Sequence, residues 1–238
     1  MILPRIVFFD MEGTLLKREY RLDTGLVAPS AWTLLAERLG PECYEAEEET
    51  KRLWIAKTKY KNYLDWMQDT VDIHRRFNLT KAVFLEVIAS VDFMPNADTA
   101  LTTIHAMGAK SVLITGGFKA LADRVQSRLR IHHAFAGCDY FFNELTGYVD
   151  HVNLLPADEA GKVDFMRLMC REYSVDPADC VFVGDGMNDR ELAQAVGFSI
   201  AFNAQAELVE VSTTSIAQRE GSEDFEAVAN CIRNRFAG

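Results

Sequence analysis

Ile6-Val7-Phe8-Phe9-Asp10-Met11-Glu12-Gly13-Thr14 runs an unbroken β-branched and aromatic stretch into an acid, a second acid two positions later, and a glycine. A stretch that is apolar at every residue, not at every other one, reads as a strand buried on both faces; such strands belong to parallel sheets covered by helices. The same construction recurs twice along the chain. Ser111-Val112-Leu113-Ile114 ends in Thr115-Gly116-Gly117, and Val181-Phe182-Val183 ends in Gly184-Asp185-Gly186. Helical periodicity covers about 97–108, 118–130, 161–174, 188–196 and 222–236, with weaker strands at 198–203 and 213–217. Asn143-Glu144-Leu145-Thr146-Gly147, set among the Phe, Tyr and Val positions of 141–152, reads as the turn of a small hairpin. Strand alternating with helix predicts an α/β fold built on a doubly wound parallel, Rossmann-like sheet. Ligands of such sheets bind beyond the carboxyl ends of the strands, so two carboxylates, a hydroxyl and glycine backbone are expected to converge there.

The stretch between the first two strong strands is too long for one crossover. From about Lys17 to Val91 it is helical in pattern, holds Trp32, Trp54 and Trp66, and carries no net charge, so the whole −10 of the chain lies elsewhere. It reads as a small helical domain inserted after the first strand: 17–91 inside a core of 1–16 and 92–238. The acidic run Glu45–Glu49 beside Lys51-Arg52 is expected to be a solvated helix face laced by i,i+4 pairs.

Composition narrows the function. With 238 residues, 49% hydrophobic and 25% charged, the chain is an ordinary globular one. Its net charge of −10 argues against nucleic-acid or membrane-surface binding. No apolar stretch approaches the roughly 20 residues of a membrane span, and no secretory signal pattern opens the sequence. Five cysteines without a C-x-x-C pair fit reduced thiols. A cytoplasmic protein is expected. The histidines lack His-Glu-x-x-His spacing, so no zinc site is assigned. Gly184-x-Gly186-x-x-Asp189 lacks the third glycine of a dinucleotide fingerprint, and Gly161-Lys162 is followed by Val163 where a P-loop needs Ser or Thr.

Four motifs remain: Asp10-Met11-Glu12-Gly13-Thr14, Ile114-Thr115-Gly116-Gly117-Phe118, Lys162, and Gly184-Asp185-Gly186-Met187-Asn188-Asp189. In this order they resemble those of the haloacid dehalogenase superfamily, in its phosphoserine-phosphatase-like branch, over about residues 5–16 and 92–235. The helical insertion falls where that branch carries its cap.

The resemblance implies a Mg²⁺-dependent hydrolase of a small-molecule phosphomonoester, phosphoserine among the candidates, working as a monomer or homodimer. The alternatives are phosphotransfer to an alcohol through the same intermediate, or a non-catalytic phospho-ligand binder of the same fold. Asp10 would be the nucleophile, and Glu12 the acid and base. Thr115, Gly116 and Gly117 would hold phosphate oxygens. Lys162 would neutralise charge, Asp189 would hold Lys162 or a metal-bound water, and Asn188 would position substrate. Asp10, Asp185 and the backbone carbonyl of Glu12 would ligate Mg²⁺. Two departures matter. The second acid is Glu12, a methylene longer than the commoner Asp. Glu19 matches a cap-side glutamate suited to an ammonium group, yet the position of the cap arginine that grips a carboxylate falls on Asp69 or Thr70. Lys59, Lys61, Arg75 and Arg76 are the cap cations that would have to replace it.

Overall fold

The computed structural model describes residues 4–18, 20–21 and 27–236. Strand β1 (Ile6–Phe9) is followed by the short pair β2 (Tyr20–Arg21) and β3 (Val27–Ala28), then by α1 (Ala31–Arg38), α2 (Pro41–Ile55), α3 (Tyr63–Arg76) and α4 (Lys81–Ser90). The alternating part follows: α5 (Ala97–Ala106), β4 (Lys110–Phe118), α6 (Lys119–Leu129), β5 (His133–Phe142), β6 (Val149–Leu154), α7 (Ala160–Tyr173) and β7 (Cys180–Gly184). It ends with α8 (Arg190–Ala195), β8 (Phe198–Phe202), α9 (Ala206–Val209), β9 (Thr214–Ile216) and α10 (Glu226–Phe236).

Seven strands form one sheet in the order β6-β5-β4-β1-β7-β8-β9, with β2 and β3 pairing apart from it. Every neighbour pair in the large sheet is parallel except β5 with β6. Register puts Phe9 beside Leu113 and Val183, so the three acid- or hydroxyl-bearing ends lie side by side. β1, β7 and β8 are buried at every residue, which is why their sequences show no alternation. The periodicity at 188–196 resolves into a 3₁₀ turn at Met187–Asp189 and then α8. The hairpin turn forms on Asn143, whose Oδ1 accepts the N–H groups of Leu145 and Thr146 at 3.0 Å. Its first strand reaches back to His133, farther than the hairpin pattern indicated, because the leading half of β5 pairs with β4.

Three of the four helices of the insertion begin on side-chain caps: Ser30 accepts from Thr33, Asn62 from Asp65 and Thr80 from Val83, while α2 follows Gly40 and opens on Pro41. The chain leaves and re-enters the sheet side by side, with Lys17 N–H donating to Asp92 O and Met94 N–H to Leu15 O at 2.9 Å each. Aromatic contacts press the insertion onto the strand ends. Trp32 packs on Phe118 at 4.3 Å between ring centres, and Phe84 on Phe118 and Tyr140 at 5.3 and 5.4 Å. The acidic run on α2 is not wholly a solvated face: Glu47 is fully buried, and its burial pushes the carboxyl up to about 7 although Lys51 lies 3.3 Å away. Its register on α2 points it inward, opposite the turn that carries the exposed Glu49–Arg52 pair.

Candidate active site

The backbone turns sharply where β1 ends. The N–H groups of Leu15 and Leu16 fold back onto Met11 O at 2.9 Å, and Gly13 adopts φ +87°, where a side chain would be strained and its Cβ would meet the Asp185 carboxylate at 2.3 Å. This tight turn lets Asp10, just past β1, face Asp185, just past β7. Asp189 stands on the turn after β7. Its Oδ2 accepts the N–H groups of Asp185 and Gly186 at 3.1 Å each, which fixes the loop.

Lys162, on the first turn of α7, is completely buried and is the electrostatic centre of the site. Its Nζ donates to Asp10 Oδ1 and Asp189 Oδ1 at 2.6 Å each, and Asp158 Oδ1 lies 3.7 Å away. Burial pulls the lysine pKa down, but the three aspartates outweigh it and hold it well above the ordinary value. Burial pushes the Asp10 carboxyl well up; Lys162 opposes this, while Asp189 and Asp185 add to it. Asp185 is raised to about 7, by burial first and Asp189 next, against the pull of Arg18.

Asp10, Asp185 and Asp189 each offer an oxygen within 4.8 Å of the others. These are hard oxygen donors, buried, with more negative charge than the nearby cations offset, a set that fits a divalent ion such as Mg²⁺. The Glu12 side chain points elsewhere. Its Oε1 accepts the N–H of Ala31, the first residue of α1, at 2.7 Å, and the extra methylene supplies that reach.

The remaining expected residues gather at the same edge. Thr115 is buried and its Oγ1 accepts the N–H of Gly117 at 3.0 Å. Gly116 has no room for a side chain, since a Cβ would meet Tyr63 Oη at 2.4 Å and Asp158 Oδ2 at 2.6 Å. Asn188 donates to Asp158 Oδ1 at 2.6 Å. Together with Asp10, Glu12 and Asp185 these residues line a cavity of about 200 Å³ roofed by Trp32, Tyr63 and Trp66. Glu19 lies outside the described residues.

None of the four cap cations lines this cavity. Lys59 pairs with Asp69 at 2.5 Å, Arg75 lies 3.8 Å from Asp72 and donates to Asp150 O, Arg76 sits over the Phe77 ring, and Lys61 is exposed. Thr70 is buried inside the insertion, its hydroxyl on Trp66 O. Three residues with no expected role stand in the site instead. Asp158 precedes Lys162 by one helical turn, a spacing the sequence did display. Tyr63 follows the Asn62 cap and donates to Gly116 O at 3.0 Å. Arg18 donates to Asp185 Oδ2 at 3.1 Å. Tyr63 and Arg18 carried no sequence signal, since only the folded insertion brings them here.

The profile of the haloacid dehalogenase-like hydrolases matches residues 4–197, and the chain belongs to that family. It is similar to the phosphoserine phosphatase of Archaeoglobus fulgidus, 24% identical over 215 residues that cover 90% of this chain and 57% of the relative. It also resembles the phosphoserine phosphatase SerB2 of Mycobacterium tuberculosis, 27% identical over 218 residues, 90% of this chain and 47% of the relative. The chain thus spans about half the length of these curated relatives. In three dimensions it superposes on a phospho-aspartyl intermediate analogue of phosphoserine phosphatase with a TM-score of 0.76, 17% identity, and coverage of 96% of this chain and 99% of the other. Among the described residues, no helix is long and apolar enough to cross a membrane.

Proposed function

We propose that the chain is a Mg²⁺-dependent phosphomonoesterase of small phosphorylated metabolites, with phosphoserine a candidate substrate. The observation that carries the reading is the Asp10–Lys162–Asp189 arrangement at the end of β1, with Glu12 two residues beyond the nucleophile. A carboxylate approaching a phosphate dianion is repelled. At about 4 Å and an effective dielectric near 20 the repulsion is about 8 kcal/mol, or roughly 10⁶ in rate if left uncompensated.

Lys162 offsets part of that repulsion by holding one oxygen of Asp10 in place, leaving the other for attack. Asp10 and Asp185, with the Glu12 carbonyl, would hold a Mg²⁺ ion, which would supply further positive charge beside the phosphoryl oxygens. Asp10 attacks phosphorus, the ester P–O bond breaks, and the leaving alkoxide takes a proton from Glu12. Glu12, now ionised, removes a proton from water as its oxygen attacks the aspartyl-phosphate, which frees Asp10 and releases inorganic phosphate. Thr115 and the glycines after it hold phosphate oxygens, and Asn188, steadied by Asp158, borders the phosphate. Residues 17–91 act as the cap that shuts this cavity from water.

Turnover of p-nitrophenyl phosphate with and without Mg²⁺, followed by phosphate release from a panel of phosphorylated metabolites, tests the reading. Mg²⁺-dependent turnover is expected; a purified, folded protein that releases no phosphate from any of them would overturn it.

A further inference from the structure

Arg18 stands in an unusual place for a cation. Its guanidinium holds Asp185 Oδ2 at 3.1 Å, on a carboxylate that is also one of the three able to hold a metal ion. The partners differ in freedom: the Asp185 side chain is 6% exposed and that of Arg18 is 39% exposed. Arg18 also borders two spaces. One is the catalytic cavity; the other is an outer cleft of about 620 Å³ that includes Lys17, Arg38 and Glu223 and meets the first at Asp185. Among the described residues, Arg18 is the one cationic side chain lining the catalytic cavity, because Lys162 lies buried beneath Asp10.

A monovalent guanidinium and a divalent ion compete for one buried carboxylate, and each weakens the other's hold. The long, partly solvated arginine can move; the aspartate, fixed at a strand end, cannot. Once displaced, the guanidinium remains at the mouth of the cavity, where its planar fork of donors matches a carboxylate. Resting on the phosphomonoesterase reading above, we infer that Arg18 competes with the divalent cation for Asp185 and, released by it, receives an anionic group on the leaving part of the substrate. Arg18 thereby takes the place that none of Lys59, Lys61, Arg75 or Arg76 fills, and it links metal loading to the choice of substrate.

The test compares wild type with R18Q, and with K17Q as a control for removing a nearby positive charge that is not on Asp185. Mg²⁺ binding to the metal-stripped proteins is measured by calorimetry. R18Q is expected to bind Mg²⁺ at least tenfold more tightly than wild type, and K17Q within threefold of it. The ratio of kcat/KM for phosphoserine to that for phosphoethanolamine, which lacks the carboxylate, is expected to fall at least tenfold in R18Q. Circular dichroism and denaturant unfolding establish that each variant is folded. An unchanged Mg²⁺ affinity in R18Q, an equal tightening in K17Q, or an unchanged substrate ratio would each overturn the assignment of Arg18 while leaving the phosphatase reading intact. Absence of both Mg²⁺ binding and turnover in wild type would overturn the two together.

Discussion

Replacing Lys162 with methionine keeps a long apolar stem in the same space and removes the positive charge at the centre of the site. Its Nζ makes two contacts of 2.6 Å, to Asp10 and Asp189, and one of 3.7 Å to Asp158, with no exposure to water. At an effective dielectric of about 20, each short contact is worth about 6 kcal/mol of attraction. Against this stands a desolvation penalty of several kcal/mol per buried ion, so breaking the cluster is expected to cost about 3–5 kcal/mol. The sign of the pH dependence follows from Asp10. Its folded pKa is already raised by burial, and removing Lys162, which pulls it down, raises it further. A carboxyl with a raised folded pKa stabilises the fold while protonated and loses that contribution as pH rises through its folded value. The stability gap between wild type and Lys162→Met should therefore be wider at pH 8 than at pH 5, measured by urea unfolding in EDTA. Turnover of p-nitrophenyl phosphate with Mg²⁺ should fall at least about 10²-fold in kcat, the scale of losing one preorganised electrostatic partner. A kcat loss below threefold, with a stability gap independent of pH, would refute the central role given to this lysine.

Asp10→Asn is nearly isosteric and should abolish turnover while leaving the circular dichroism spectrum unchanged; full activity would contradict nucleophilic attack by Asp10. EDTA should silence the enzyme and Mg²⁺ should restore it better than Zn²⁺, because the clustered ligands are all hard carboxylates; this is read as phosphate released per minute after dialysis. Glu47→Gln should flatten the pH dependence of stability. Burial raises the Glu47 pKa to about 7 although Lys51, 3.3 Å from Oε1, opposes the shift, so at pH 8 wild type should forfeit up to roughly 3 kcal/mol that it retains at pH 5. Urea unfolding of the two proteins at both pH values in EDTA, where Asp185 titrates equally in each, isolates the Glu47 contribution as the difference between them.

The sheet was legible because its strands are buried on both faces, which leaves continuous runs such as Ile6–Phe9 that no amphipathic helix would show. Asp10, Thr115 and Asp185 were legible for a related reason: each is the first polar residue after such a run, and the parallel register brings those positions within one residue of each other along the sheet edge. The leading half of β5 was not, since His133-Ala134-Phe135-Ala136-Gly137 is weak in β-branched residues and is held by its pairing with β4. Glu47 failed for the converse reason. A run of charged residues predicts a solvated face, yet helical rotation turns one member of the run inward, and only the packing of α2 on its neighbours decides which. The insertion's contribution to the site could not be read at all. Tyr63 and Arg18 lie far from their partners in sequence, Gly116 and Asp185, and no local pattern records such a contact.

Two of the bonds between insertion and sheet end on residues of the candidate site. Glu12 Oε1 takes the N–H at the start of α1, where a helix presents unpaired donors, and Tyr63 at the start of α3 gives its hydroxyl to Gly116 O. An aspartate at position 12 would be a methylene short of Ala31, so the longer acid is what lets a residue of the turn after β1 reach the insertion. If the insertion swings away to admit substrate, both bonds break together: Glu12 loses the donor that orients it, and the glycine loop loses the group lying across it. With Glu12 as the proposed acid, its aim then depends on the roof of Trp32, Tyr63 and Trp66 being in place. That roof leaves about 200 Å³, below the roughly 300–1,000 Å³ of a drug-sized ligand pocket. A phosphorylated side chain on a folded protein would hold the roof off and leave Glu12 without its partner. On the proposed reading a small phosphomonoester would fit beneath it, and the contact that would position Glu12 as proton donor would also limit the size of the leaving group.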